Sequence, residues 1–432
     1  MERKIYQQLE AWKKRKNHKP LIVEGARQVG KTFAVKKFGA DHFKEVIEIN
    51  FESNKLLSND FNGNLDPQEI VSRIEAYFQQ EIVPEETLLF FDEIQANENA
   101  VTALKYFYEK APEYHIIAAG SLLGVAMNRK KMSFPVGKVE FLSMCPLDFE
   151  EFIWALGYKK LAREIRRSFQ DNAELGSHEL GLKLYKEYLV VGGMPEVVAK
   201  YTETGSFIEA AATQDDILNR YAADMAKYAD DEEIPKILAS FDSIPAQLAK
   251  ENHKFQYKIV QKGGTAAIFG QSINWLSLAG IVMKCQKIEQ ARIPLKAFRD
   301  LASFKLYALD IGLLLRMSGI SPHGVLNDVS SDFMGGLTEN YVAQALFASG
   351  TPLYYWASGG QAEIDFVMAD AENKIIPIEV KAGKNTRSRS LSVFREIYQP
   401  ERAVRISTKN FGFENGIKSV PLYAVFCFGQ EF

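Results

Sequence analysis

The sequence predicts an α/β protein: a doubly wound parallel sheet near the N-terminus, a helical middle, and a second α/β region at the C-terminus. Three observations carry this reading. Short, continuously apolar strands alternate with helical segments over the first third, the pattern of βαβ units whose sheet is buried on both faces. The middle third is helical. Towards the C-terminus three strand-like runs follow one another with only short turns between them. At about 150 residues per domain, 432 residues imply two or three domains, and the changes of pattern place them at 1–160, 161–325 and 326–432.

Each element has its local reason. Ile5 to Trp12 is amphipathic and runs into the basic segment Lys13–Lys19. Pro20 introduces the apolar strand Leu21–Glu24, and Val46–Phe51 is the second strand. Pro67–Gln80 reads as a helix, with Asp66 as N-cap and proline at the first helical position. Thr87–Phe91 and Tyr114–Ala119 are the third and fourth strands, with the helix Glu98–Lys110 between them. Asp148 with Glu151 forms a capping box for the helix Phe149–Leu156. The helix Leu180–Val191 is broken by Gly192, Gly193 and Pro195.

Composition excludes several classes. Hydrophobic residues make up 47% and charged ones 25%, which rules out a disordered or fibrous chain. The net charge of −3 requires any nucleic-acid surface to be a local patch. Cys145, Cys285 and Cys427 lie far apart, and the histidines form no HExxH pair, so neither a disulfide scaffold nor a zinc module is expected. No apolar run approaches the ~18 residues of a membrane span, and the N-terminal segment lacks a signal-peptide stretch. A cytoplasmic protein without membrane contact is the expectation.

The strongest signal follows the first strand. Gly25-Ala26-Arg27-Gln28-Val29-Gly30-Lys31-Thr32 fits G-x-x-x-x-G-K-[ST] at every fixed position. The glycines let the backbone curl so that successive N–H groups point at phosphate oxygens, and the following helix adds its positive end. Lys31 is expected to reach the β- and γ-phosphates of ATP, and the Thr32 hydroxyl to ligate Mg²⁺. The run Leu88–Phe91 ends in Asp92 and Glu93, two carboxylates at the edge where ligands of open α/β sheets bind. Asp92 is expected to hold Mg²⁺ and Glu93 to polarise the attacking water. Ser121, at the tip of the fourth strand, is equally suited to sensing the γ-phosphate and to a plain N-cap. Arg129, Lys130, Lys131 and Lys138 are the nearby cations from which an arginine finger would come, although a solvated basic face accounts for any one of them.

These segments, with CPLDFEEF, YLVVGGMPEVV, INWLSLAGIV, KLYALDIGLL, LTENYVAQAL and AEIDFVMA…PIEVKAG, resemble a bacterial and archaeal family of AAA-type P-loop ATPases. Its members carry a C-terminal domain of unknown function related to restriction-type nucleases. The resemblance implies nucleotide binding at the loop but does not fix the activity of the rest. At one position the chain departs from the pattern: Gly137-Lys138 stands where Gly-Arg is expected, and a lysine lacks the planar fork of a finger.

From Ile234 onward three short helices and two strands, IVMKCQKI and SFKLYALD, suggest a winged helix-turn-helix. Within it, residues 250–262 carry four lysines against one glutamate, interleaved with Phe255 and Tyr257. Such a segment either tracks a phosphate backbone or is a solvated loop.

Leu353–Ser358, Ala362–Ala369 and Ile375–Ala382 read as consecutive strands. Closing the second turn about Glu372 sets Asp365 opposite Glu379 and Glu363 opposite Lys381, all on one face, although Pro377 invites a bulge. A divalent cation, Mg²⁺ or Mn²⁺, would relieve the repulsion between Asp365 and Glu379, and Lys381 could then activate a water. This D…E-x-K pattern resembles the restriction-endonuclease and Holliday-junction-resolvase family, with Glu339 matching its upstream acid. A surface charge ladder and an inactive nuclease-like binding domain are the alternatives. Residues 374–409 hold nine Lys/Arg against three Glu, the local patch that DNA binding would require. The expectation is an ATP-hydrolysing ATPase acting on duplex or branched DNA through a nuclease-like domain, with homo-oligomeric assembly allowed. The alternative is an ATP-dependent switch or signalling ATPase whose C-terminal domain only binds DNA or protein.

Overall fold

The computed structural model describes residues 1–125, 135–327, 333–360, 362–383 and 389–429. The chain divides into two compact units, residues 3–145 with 278–280, and residues 146–277 and 281–432 with 1–2.

In the first unit, β1 (Leu21–Glu24), β2 (Glu45–Asn50), β3 (Thr87–Asp92), β4 (His115–Gly120) and β5 (Glu140–Ser143) form a parallel sheet in the order β2-β3-β4-β1-β5. Every residue of β3 and β4 is buried, which is why their sequences are continuously apolar rather than alternating. Helices α1 (Ile5–Lys13), α2 (Lys31–His42), α3 (Lys55–Asp60), α4 (Pro67–Phe78) and α5 (Glu98–Lys110) belong to the same unit. Asp66 caps α4 through its oxygen on the amide of Gln68, with Pro67 next, as the sequence indicates. Phe51, Phe61 and Phe91 meet edge-to-face at 5.1–5.8 Å, a packed support beneath the C-terminal end of β3.

The second unit departs from the expected winged helix. Strands β6 (Val282–Ile288) and β7 (Arg299–Ala308) do pair antiparallel, but β6 also pairs in parallel with β8 (Tyr354–Ala357), which pairs with β9 (Glu363–Ile364). The two-stranded wing is thus the flank of a four-stranded sheet, and that sheet crosses the boundary anticipated at residue 325. A second sheet runs β10 (Phe366–Ala369), β11 (Ile375–Val380), β12 (Ala403–Ser407), β14 (Ile417–Pro421) and β13 (Gly412–Glu414). The β10–β11 hairpin keeps the anticipated register, with Phe366 opposite Ile378 and Val367 opposite Pro377, and no bulge intervenes. The strand expected over 362–369 is instead two strands. The chain bends at Asp365 and passes from one sheet to the other. Glu363 therefore lies opposite Ala357 of β8, not opposite Lys381. The capping box at Asp148 and Glu151 forms with both of its hydrogen bonds.

At the N-terminal end of β4, His115 packs 4.0 Å from the ring of His18, 5.3 Å from Phe43 and 5.5 Å from Trp12. Burial, with repulsion from His18 and Lys13, pushes the His115 imidazole down to about 4. The unfolded chain therefore takes up this proton first as the pH falls. Stability contributed by neutral His115 is complete above its ordinary value near 6.5 and drains away towards pH 4, by up to roughly 3 kcal/mol. Denaturant unfolding followed by tryptophan fluorescence from pH 7 to pH 4 should show this loss, and His115→Phe should make the dependence shallower. An unchanged slope in the variant would refute it.

Candidate nucleotide site

Three strands that are separate in sequence end together at one edge of the first sheet, because β4 lies between β1 and β3. The loop after β1 carries Gly25 at φ +145°, where a Cβ would stand 2.1 Å from the carbonyl oxygen of Met144. Only glycine fits there. Gln28 and Gly30 also take positive φ, at 66° and 94°, and Gly30 leads directly into α2. Ala26 and Val29 are buried. Arg3, which the sequence reading passed over, anchors the loop by donating to the carbonyls of Val29 (3.2 Å) and Cys145 (2.7 Å).

Lys31 is buried, and its Nζ donates to the carbonyls of Gly25 (2.9 Å) and Ala26 (2.7 Å). Burial lowers its ammonium to about 8 against the opposing pull of Glu93 and Asp92. The Thr32 hydroxyl lies 3.1 and 3.3 Å from the two carboxylate oxygens of Asp92. Burial and the neighbouring Glu93 raise the Asp92 carboxyl above its ordinary value. A hydroxyl and a carboxylate are hard oxygen donors that suit Mg²⁺, and a cation between them would offset that burial. Asn50, also absent from the sequence expectation, donates to Asp92 Oδ2 at 3.3 Å from the neighbouring strand end. Its position at the tip of β2 was the available signal.

Glu93 takes a left-handed backbone, φ 48°, and its Oε2 accepts from Gln95 Nε2 and, at 3.4 Å, from the Ser121 hydroxyl. Ser121 in turn accepts from Arg27 Nε at 3.2 Å. Of the candidate finger cations, Lys138 pairs with Glu109 at 3.0 Å, while Arg129, Lys130 and Lys131 lie outside the described residues.

Asp365 and Glu379, the expected metal pair, each have partners within the protein. Asp365 Oδ2 accepts the backbone amide of Val380 at 2.7 Å. Glu379 is buried, with Lys381 at 3.2 Å and Arg405 at 3.7 Å. Glu339 faces a residue the sequence did not single out, the buried Lys305 of β7. The Lys305 ammonium lies 2.7 Å from both Glu339 and Glu363. Tyr307 donates its hydroxyl proton to Glu339, and His253 lies 2.6 Å from its other oxygen. Although burial opposes it, Lys305 and His253 hold the Glu339 carboxyl well below the usual range. Burial and the Glu339 charge push Asp365 up. Among the described residues no group of three or more His, Cys, Asp or Glu is disposed to hold a metal ion. Lys305 comes from a strand remote in sequence from these acids, and no motif announces it.

The basic segments are also more internally paired than composition suggests. Phe255 stacks on Phe304 at 5.2 Å, and Lys254 sits 3.8 Å from Glu363, whereas Lys258 and Lys262 are exposed. In the stretch 374–409, Lys374, Lys381, Arg402 and Arg405 each face a carboxylate.

Fold and site together define a P-loop nucleotide-binding ATPase domain. Residues 17–153 match the family model described as an AAA domain. Residues 182–324 and 334–425 match two domains of unknown function, DUF8612 and DUF4143, and neither description names a nuclease. Among solved structures the chain is similar to a Walker-type ATPase of Pyrococcus abyssi, at 13% identity over 72% of this chain and 94% of that one, with TM-score 0.45. It is also similar to the ORC2 protein of Aeropyrum pernix in its ADPNP–ADP complexes (12% identity, 76% and 91% coverage, TM-score 0.35). A third is the Aeropyrum pernix ORC1 protein in complex with DNA (9%, 73% and 90%, 0.26). No curated protein matches the chain.

Replacing Lys305 by methionine would leave Glu339, Glu363 and Asp365 facing one another without the ammonium. Breaking a buried ion pair from one side costs about 3–5 kcal/mol, so Lys305→Met should melt well below wild type at pH 7. Its remaining carboxyls would titrate at raised values, so the variant should recover stability as the pH falls to 5. A variant as stable as wild type at both pH values would show that the cluster contributes nothing.

Proposed function

We propose that the chain hydrolyses ATP at the loop Gly25–Thr32. The observation that carries this is the Thr32 hydroxyl 3.1 Å from the Asp92 carboxylate, with Glu93 next in sequence at the same sheet edge. Thr32 and Asp92 would hold Mg²⁺, which when bound neutralises charge on the phosphates. The loop amides and Lys31 bind and orient the β- and γ-phosphates, and Glu93 accepts hydrogen-bonding from the attacking water and draws off its proton.

For the second unit we propose recognition of DNA rather than its cleavage. The supporting observation is that Glu339 and Glu363 already share the Lys305 ammonium, and Glu379 lies between Lys381 and Arg405. Exposed Lys250, Lys258 and Lys262 are the cations available for phosphate contact in the 250–262 segment. Cleavage by Asp365, Glu379 and Lys381 with Mg²⁺ or Mn²⁺ is the reading it displaces.

Lys31→Ala should abolish ATP binding, whereas Glu93→Gln should retain ATP and stop turnover, as filter binding and phosphate release would record. With Lys31 losing its proton near pH 8, ATP affinity of the wild type should also weaken steadily above that value. Wild-type turnover in both variants would place the site elsewhere.

DNA binding should fall linearly with the logarithm of salt, and reversing Lys258 and Lys262 to glutamate should reduce that slope by about one per lost contact. Labelled linear, supercoiled and branched DNA should stay intact with Mg²⁺ or Mn²⁺. Cleavage lost in Glu379→Ala would overturn the recognition reading, and no binding at low salt would remove DNA as the partner.

A further inference from the structure

We infer that Arg27 is a positioning residue that sets the carboxylate of Glu93 through the hydroxyl of Ser121, so that the base is registered to the phosphate loop itself and not only to its own strand. This rests on the ATPase reading above. Three segments distant in sequence supply the chain of contacts. Arg27 Nε, on the phosphate loop, donates to Ser121 Oγ at 3.2 Å, and Ser121 Oγ lies 3.4 Å from Glu93 Oε2. A serine hydroxyl has one proton. Accepting from the guanidinium on one side, it has that proton to give to the carboxylate on the other, so the direction of the relay is fixed by its first member.

Other features support the same path. Gln95 Nε2 donates to the same oxygen of Glu93, which leaves Oε1 as the oxygen for a water. Gly120 precedes Ser121, and a Cβ there would stand 2.7 Å from Gln95 Oε1, which places the Gln95 side chain against the strand tip. Glu93 holds φ 48°, a left-handed conformation that a non-glycine residue keeps only when its surroundings impose it. At its other end Arg27 pairs with Glu52 at 3.5 Å. The amide of Glu52 donates to Asn50 Oδ1, and Asn50 Nδ2 donates to Asp92. Arg27 thus stands between the acid assigned to the metal and the acid assigned to the water. A shift of the phosphate loop is transmitted to both.

The test is a double-mutant cycle on turnover. Arg27→Gln and Ser121→Ala should each lower kcat by up to about a hundredfold, the scale of a group misplaced by about 1 Å. The double variant should be no slower than the worse single variant, because both break one path. In Ser121→Ala the affinity for a non-hydrolysable ATP analogue should stay near wild type while kcat drops, and Ser121→Thr, which keeps the hydroxyl, should restore kcat. Additive losses, or an analogue affinity falling in step with kcat in Ser121→Ala, would overturn the inference. If the wild type binds ATP and never turns it over, the ATPase reading fails. A cycle of melting temperatures for Arg27→Gln, Ser121→Ala and Glu93→Gln then judges the network by itself, and purely additive shifts would sink it.

Discussion

The hydrogen bond between the Thr32 hydroxyl and the Asp92 carboxylate depends on one constraint: β1 and β3 must end at the same level on either side of β4. Parallel pairing supplies this. Ile22 opposite Ala118 and Phe91 opposite Ala118 bring both strands to a common register on the central strand. Each strand can run parallel to its neighbour only because a helix returns the chain to the other end of the sheet. The loop and the acids therefore meet without any local sequence relation between them. The phenylalanine cluster under β3 and the clamp of Arg3 on the loop hold the two halves of the site at that spacing.

Buried charge is handled differently at the nucleotide site and around Lys305. In the first, Lys31 donates to loop carbonyls, and Asp92 is held by hydroxyl and amide donors that leave its carboxyl raised. Such groups interact strongly with an incoming phosphate or cation, because their electrostatic demand is only partly met. In the second unit, Lys305 meets two carboxylates at 2.7 Å, and Glu339 adds a tyrosine and a histidine. A network satisfied to that extent serves rigidity and placement of strands more readily than chemistry. It also fastens β7 to the Met334–Ala348 helix and to β9, elements separated by long stretches of chain.

The phosphate loop was legible because its chemistry is local. Gly25, Gly30, Lys31 and Thr32 act through their own backbone and a helix that starts at once, and Asp92-Glu93 is marked by the apolar run that buries β3. The capping box at Asp148 and the β10–β11 register were legible for the same reason, each being fixed within a few residues.

What only the tertiary structure decided are partnerships between residues far apart in the chain. Asn50 reaches Asp92 because β2 is the outer neighbour of β3, and Arg27 reaches Ser121 because β4 lies beside β1. Pattern reading treats 362–369 as one strand, since alternation continues through Asp365, yet the chain changes sheets there. That single bend takes Glu363 away from Lys381 and gives it to Lys305. A lysine on an apolar strand looks like an ordinary strand residue until the fold shows which carboxylates surround it. Sequence alone located the phosphate-loop motif and the acids at the end of β3, because short-range geometry defines them, whereas the partners of the second acidic cluster were set by long-range packing.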